Sequence, residues 1–500
     1  MTFARVLLAF CTVLFADEWP TLRWKEATPE AHGFDSAAFA DAVDLVLQKK
    51  IPIHSMLVIR HGAVVLDANF YPYAAKVPHD VASVTKSVTS ILTGIAIDKG
   101  FIKSVDELAL PLLKISLPSD MDPRKRRITV GNLLSMTSGL ACGDPHVAHT
   151  VETELDAMRA SADWIKYAVT IPMSMEPGKE FAYCSVNNHL LSAIIKAQTG
   201  DTLEVFARKH LFGPLGIKEF LWPVDPQGLN HGWGDLHLYP RDMAKLGYLY
   251  LHEGKWGERQ IVSSAWVRSS FETRAMVREG VGYGFSWWLN LARTPRIPEA
   301  EGRGGQRIAV VPDKDLVVVY SSGGADTDDV SPTLLKALKS DGVLPPNAAG
   351  MVRLKRSLAT ARVGARATAV GKLPAVAAKV SGKRYEFASN ALGLRSLSLT
   401  FGGGAEAGME MRFGEELWSG KVGLDGVRRF SAKGHQGQPM AVLGGWRGES
   451  EFGLDVDLVS NITHILITLR YSGDAVEAEL RDATGSFNGV KVRGVAVGLQ

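Results

Sequence analysis

Cysteine is scarce in this sequence, and that scarcity removes several chemistries at once. The three residues in 500, Cys11, Cys142 and Cys184, form no C-x-x-C pair and no metal-ligand spacing, so nothing supports a zinc ribbon or a thioredoxin-like redox site. Charge of one sign is lacking too. Lys and Arg number 56 against 53 Asp and Glu, mixed throughout and without a basic stripe interleaved with aromatics, so nucleic acid is not an expected partner. The apolar run from Val6 to Phe15 falls well short of the roughly 20 residues of a stable membrane span. Also absent are the G-x-S-x-G elbow, H-E-x-x-H and the P-loop. His146 and His149 stand one helical turn apart without carboxylate or cysteine company and read as a solvated loop pair. Neither a metal nor a cofactor is expected.

What is present divides the chain. With 46% hydrophobic residues there is ample material for burial, and 500 residues exceed one compact core. Residues 1–16 read as a signal peptide, with Arg5, the apolar run, and Ala16 ahead of Asp17; this implies export to the periplasm or the exterior. Cys11 would leave with that segment. Cys142 and Cys184 would remain, either bridged or as two buried thiols.

Residues 17–345 mix strands and helices. Met56–Ile59 and Val64–Leu66 flank the turn His61-Gly62 as one hairpin; Gln306–Val311 and Asp315–Ser321, parted by Pro312-Asp313-Lys314, make a second. Helical spacing runs through Leu190–Ala197, Leu203–Leu211 and Asp242–Glu253. The expected fold is α+β, an antiparallel sheet flanked by helices with an all-helical insert. Residues 346–379, rich in Ala, Val, Arg and Lys, read as a linker with a helix near Met351–Ala361. From 380 to 500 the pattern is strict alternation, as in Leu397, Leu399, Phe401 and Ile465, Ile467, Leu469, Tyr471, which fits a small all-β barrel or sandwich.

Ser83-Val84-Thr85-Lys86 is the only S-x-x-K in the chain. Val84, Val88, Ile91, Leu92 and Ile95 recur at helical spacing and Gly100 closes the run, so Ser83 falls on the first turn with Lys86 on the same face. A serine hydroxyl needs a base as its new bond forms, and a lysine serves when burial disfavours its charge. Downstream, Tyr183 follows the turn Pro177-Gly178 and precedes an apolar helix; it is either a second proton-transfer group or a tyrosine packed at a loop corner. Ala300-Glu301-Gly302-Arg303-Gly304-Gly305-Gln306 then leads into the second hairpin, and its glycines would let backbone approach a substrate closely.

Together these stretches resemble the serine hydrolases of the β-lactamase and penicillin-recognising superfamily, in its class C-like branch. Supporting segments are Ile128–Leu140, Pro240–Gly247 and Gly282–Trp288, and the likeness covers roughly residues 28–343. The resemblance implies Ser83 as acyl-accepting nucleophile, Lys86 as its partner, Tyr183 as proton relay, and the backbone N–H groups of Ser83 and Arg303 as oxyanion hole. It places Ser185, Gly302, Gly304, Gly305 and Gln306 against the substrate, Gln306 alternatively as strand support. Two departures stand out. Tyr183-Cys184-Ser185 replaces Tyr-x-Asn, and Ala300-Glu301-Gly302 replaces Lys-Thr-Gly, both similar to 6-aminohexanoate-dimer hydrolases. The cation that would meet a β-lactam carboxylate is then missing, unless Arg303 or Arg307 restores it. The implied activity is acyl-enzyme hydrolysis of a small-molecule ester or linear amide; a β-lactamase or D-Ala-D-Ala carboxypeptidase is the alternative, and a non-catalytic scaffold a further one. The terminal module resembles a lipocalin-like barrel, through Lys383–Phe387 and Gly423–Gly426.

Overall fold

The computed structural model describes residues 19–142, 153–292, 294, 296–485 and 487–497. The expected signal segment and the pair His146 and His149 lie outside the described residues.

Nine strands form the expected sheet, in the order Lys25–Glu26, Ala63–Asn69, Ile53–Arg60, Leu316–Ser322, Gln306–Val311, Ile297–Gly302, Trp288–Asn290, Val281–Tyr283, Ala275–Arg278. All neighbours are antiparallel except the outermost pair at Lys25–Glu26. Leu316–Ser322 is central and buried along its whole length, as its unbroken apolar run requires. At the first hairpin, His61 and Gly62 have φ of 47° and 70°, the left-handed pair that a two-residue turn demands.

Alternate residues of each strand supply the two faces of the sheet. On one, Met56, Val58 and Val318 pack with Phe39, Val43 and Val46 of the helix Ser36–Lys49. On the other, Leu57, Ile59, Val317 and Val319 join Val88 and Leu92 of the helix Val84–Asp98 and Leu246 of the helix Pro240–Leu251. The helical insert, including Ser185–Thr199, lies on this second side.

The helix expected near Met351–Ala361 spans Ala348–Ala361, yet it belongs to the sheet domain rather than to a linker. Leu354 and Ala361 are buried in the first face, and Arg353 pairs with Asp41 at 2.6 Å and Asp44 at 2.8 Å. Its exposed Arg and Lys give it a connector's composition. Its apolar stripe decides the packing. The extended connection is only 362–374, followed by the short helix Ala375–Val380.

Beyond it, nine of the ten strands from Arg384–Phe387 to Val490–Val497 form a closed barrel, sealed by a bridge between Gly423 and Leu443, and the tenth, Arg429–Ser431, pairs alongside Met440–Trp446. Leu397, Leu399, Met409, Met411, Leu454, Val456, Ile465, Ile467 and Leu469 all belong to one apolar cluster. The strict alternation therefore encodes an inside and an outside. Among the described residues, no helix is long and apolar enough to cross a membrane.

Candidate active site

Ser83 caps the helix Val84–Asp98 and follows Ala82, whose φ of 45° is a left-handed conformation that a non-glycine residue adopts only under constraint. The constraint is visible. Asp80 Oδ1 accepts the Ala82 N–H at 2.8 Å, and Thr85 Oγ1 donates to the Ala82 carbonyl at 2.6 Å. Burial raises the Asp80 carboxyl above its ordinary value, against the lowering pull of His237.

One turn along, Lys86 is 1% exposed, and its Nζ lies 2.9 Å from Ser83 Oγ while donating to the Trp233 carbonyl at 3.0 Å. The Trp233 segment is itself held by the same helix. Thr89 Oγ1 donates to Gly232 O at 2.8 Å, Ser87 Oγ to Ser286 O at 2.6 Å and Ser90 Oγ to Phe285 O at 2.8 Å. The hydroxyl-rich run Thr85–Ser90 is poor helix-forming sequence; here its hydroxyls satisfy loop carbonyls that shape the site.

Tyr183 arrives from the insert. Its ring centroid is 4.8 Å from Lys86 Nζ, and Trp288 stacks on it at 5.9 Å with the planes 23° apart. The Ala182 N–H donates to Met136 O at 2.8 Å, and a Cys142–Cys184 disulfide, Cα atoms 5.1 Å apart, fastens the next residue. Of the two alternatives open in the sequence, the cysteines are bridged. Ser185 begins the helix Ser185–Thr199, is buried, and faces the same pocket.

The third wall is the strand end Ile297–Gly302 and the turn after it. A Cβ on Gly302 would stand 2.5 Å from Val81 O and 3.0 Å from Ser83 N, so only glycine lets this backbone reach the Ser83 turn. That contact brings Arg303 into the pocket beside Ser83. Gln306 lies in the wall as well, but its amide is committed to backbone: Nε2 donates to Ser322 O at 2.6 Å, and Oε1 accepts the Ser322 N–H at 3.3 Å. Strand support is therefore its role. Arg307 is no carboxylate anchor, because Glu299, Glu301 and Asp328 surround its guanidinium at 3.6, 3.4 and 2.9 Å. Ala300, standing where a Lys-Thr-Gly box would place lysine, is fully buried in the sheet.

These walls enclose a pocket of about 590 Å³, a volume suited to a small molecule. It unites Ser83, Tyr183, Ser185, Gly302, Arg303, Gly304, Gly305 and Gln306, with Lys86 directly behind Ser83. Sequence reasoning missed Asp80, Arg159, Trp233, Asp235 and Ile462, which also line it. Burial would raise the Asp235 carboxyl, yet the His231 hydrogen bond at 2.7 Å and the charges around it hold it below its ordinary value. Only the short segment His231-Gly232-Trp233-Gly234-Asp235, with two glycines among bulky polar residues, carried a local signal of an unusual loop.

An α+β sheet domain with an S-x-x-K serine at a helix start, a tyrosine from a helical insert and a glycine-bearing strand edge defines a β-lactamase-type fold. The chain belongs to the Beta-lactamase family, whose profile matches residues 36–339. It is similar to the 6-aminohexanoate-dimer hydrolase of Paenarthrobacter ureafaciens, 25% identical over 293 residues that make up 55% of this chain and 73% of that protein. A Salmonella heidelberg (strain SL476) protein provisionally named D-alanyl-D-alanine carboxypeptidase is 25% identical over 237 residues, 43% of this chain and 54% of that one. Among solved structures, a Bacillus anthracis protein provisionally named 6-aminohexanoate-dimer hydrolase aligns with a TM-score of 0.52 at 17% identity, over 68% of this chain and 86% of that one. The chain is a Beta-lactamase-fold hydrolase by descent.

Proposed function

We propose that the protein is a serine hydrolase that cleaves ester or small linear amide bonds through an acyl-enzyme. The observation that carries this reading is the 2.9 Å approach of Lys86 Nζ to Ser83 Oγ, in a pocket shared with Tyr183. Ser83 Oγ attacks the carbonyl carbon as its one proton passes to the Lys86 amine, and Tyr183 relays that proton to the leaving group. The oxyanion would be met by the N–H groups of Ser83 and Arg303, a reading supported by the close approach of Gly302 to the Ser83 turn; losing one such donor typically costs about 3 kcal/mol of transition-state stabilisation. Collapse breaks the C–O or C–N bond, the leaving group takes the proton, and water then releases the acid and restores Ser83.

Substrate class follows from the strand edge. Ala300 puts no cation at the Lys-Thr-Gly position and Arg307 is neutralised by three carboxylates, which supports esters and linear amides over β-lactams and leaves Arg159 and Arg303 as the arginines lining the pocket. The name of the Paenarthrobacter relative points the same way. Export, expected from residues 1–16, remains part of the proposal, and a disulfide is at home in an oxidising compartment. The test is turnover of p-nitrophenyl esters, 6-aminohexanoate dimer, nitrocefin and a D-Ala-D-Ala peptide, with Ser83→Ala as control. Dominant nitrocefin or D-Ala-D-Ala hydrolysis would overturn the substrate ranking.

A further inference from the structure

A loop between two barrel strands ordinarily runs over the surface, because its backbone polar groups need water. The loop between Glu451–Asp457 and His464–Ser472 does not. Leu458, Val459, Ser460 and Ile462 are all buried: Leu458 packs in the barrel's own apolar cluster, Val459 with Tyr73 of the sheet domain, and Ile462 in the wall of the Ser83 pocket. Ser460 O accepts the Asp80 N–H at 2.8 Å, and Asp80 in turn holds the constrained Ala82 ahead of Ser83. Ile462 lines the pocket that contains Ser83 and Tyr183. It also sits on Gly304, where an added Cβ would come within 2.3 Å of Ile462 Cγ2. A second barrel turn reaches the same place, as Thr484 Oγ1 accepts from Arg303 Nη1 at 3.4 Å.

The turn 302–305 is thereby fixed from two sides. Beneath it, the Gly324 N–H and the Ser322 hydroxyl both donate to Gly304 O. Above it lie the methyl groups of Ile462. The barrel thus contributes an apolar wall immediately beside the proposed oxyanion donors, where the wall meets whatever substrate group lies along the strand edge. We propose that Ile462 is the specificity-determining residue of the Ser83 pocket, limiting the length of the acyl group that the turn 302–305 accommodates. The inference rests on the serine-hydrolase reading above. It makes the barrel a component of the active site. One to three side-chain carbons in an apolar pocket shift selectivity by about tenfold or more, so the effect is measurable.

The test compares kcat/KM for p-nitrophenyl acetate, butyrate and octanoate in the full chain, each rate normalised to sites titrated with a small fluorophosphonate. Ile462→Ala should raise the octanoate-to-acetate ratio about tenfold, and Ile462→Trp should lower it about tenfold. If the alanine variant does not fold, Ile462→Val, one carbon smaller, should move the ratio about tenfold in the alanine direction. A merely structural role would depress all three esters equally, and a ratio unchanged within twofold in titratable variants overturns the inference. Failure of the fluorophosphonate to label the unmodified protein would instead overturn the serine-hydrolase reading, so the two failures are distinguishable.

Discussion

The barrel's apolar cluster is built of Leu, Ile, Val, Met, Ala and aromatics, and ion pairs such as Arg470–Glu479 at 2.8 Å stand apart from it. Around Ser83 the buried set is Thr85, Lys86, Ser87, Thr89, Ser90, Asn187, Asn188, His189 and Ser192. A buried polar group is costly unless bonded, and here hydroxyl after hydroxyl finds a loop carbonyl. The barrel interior is arranged for cohesion. The Ser83 region gives up apolar packing to hold loops at fixed positions, so equal-sized substitutions should act on chemistry in one region and on stability alone in the other.

The largest expected effect lies at the serine. Ser83→Ala and Lys86→Met should each reduce kcat/KM for the best ester at least about 1,000-fold, while the melting temperature stays close to that of the parent. Tyr183→Phe should cost about 100-fold or more in kcat, the usual scale of general acid–base contributions, with KM nearly unchanged. A stacked tyrosine of purely packing value would leave kcat within a few fold.

The comparison sharpens with a matched pair of variants. Thr89→Val removes the donor to Gly232 O and should destabilise by about 1–3 kcal/mol, with a fall in kcat because Gly232 adjoins the Trp233 carbonyl that accepts from Lys86. Ile467→Val in the barrel should cost about 0.5–1.5 kcal/mol and leave kcat and KM alone. Denaturant unfolding and ester kinetics on both variants measure the contrast, and a change in kcat on Ile467→Val, inside the barrel and away from the Ile462 loop, would break it.

The smallest effect concerns pH. Burial lowers His54, His79 and His189 in the sheet domain, His79 also through His54, and His189 despite its bond to Asp225 at 3.0 Å. Burial disfavours the charged form of each in the folded protein. Their contribution is present above the unfolded value of 6.5 and is lost as pH falls through it toward the lowered folded values. In the barrel, burial opposes but Asp455 and Asp457 outweigh it, so His464 is raised; its contribution is present below 6.5 and is lost as pH rises through the folded value. Calorimetry of the full chain between pH 5 and 8 should show the sheet-domain transition weakening on the acid side and the barrel transition on the alkaline side.

Much of this was legible in the sequence where order is periodic. The run Val84–Ile95, both hairpins and the alternating barrel strands announce themselves because each element buries its own repeating face. Tyr183 and the turn 302–305 were legible through resemblance, since their meeting with Ser83 spans a hundred or more residues. Asp80 and Ile462 were not, and Trp233 only as part of a glycine-flanked segment that marks a loop without naming a role. They act through backbone carbonyls, single buried contacts and a loop from another domain, none of which leaves a pattern that points to Ser83. The helix Ala348–Ala361 misled for a related reason, its partner stripe on Ser36–Lys49 being more than 300 residues away.

The most direct test is intact-mass and peptide mapping after mixing the protein with a slowly deacylated ester or a fluorophosphonate. One adduct per chain is expected, on the peptide carrying Ser83, absent in Ser83→Ala and much slower in Lys86→Met. Ester turnover that survives in Ser83→Ala, or an adduct on any other residue, would contradict this expectation.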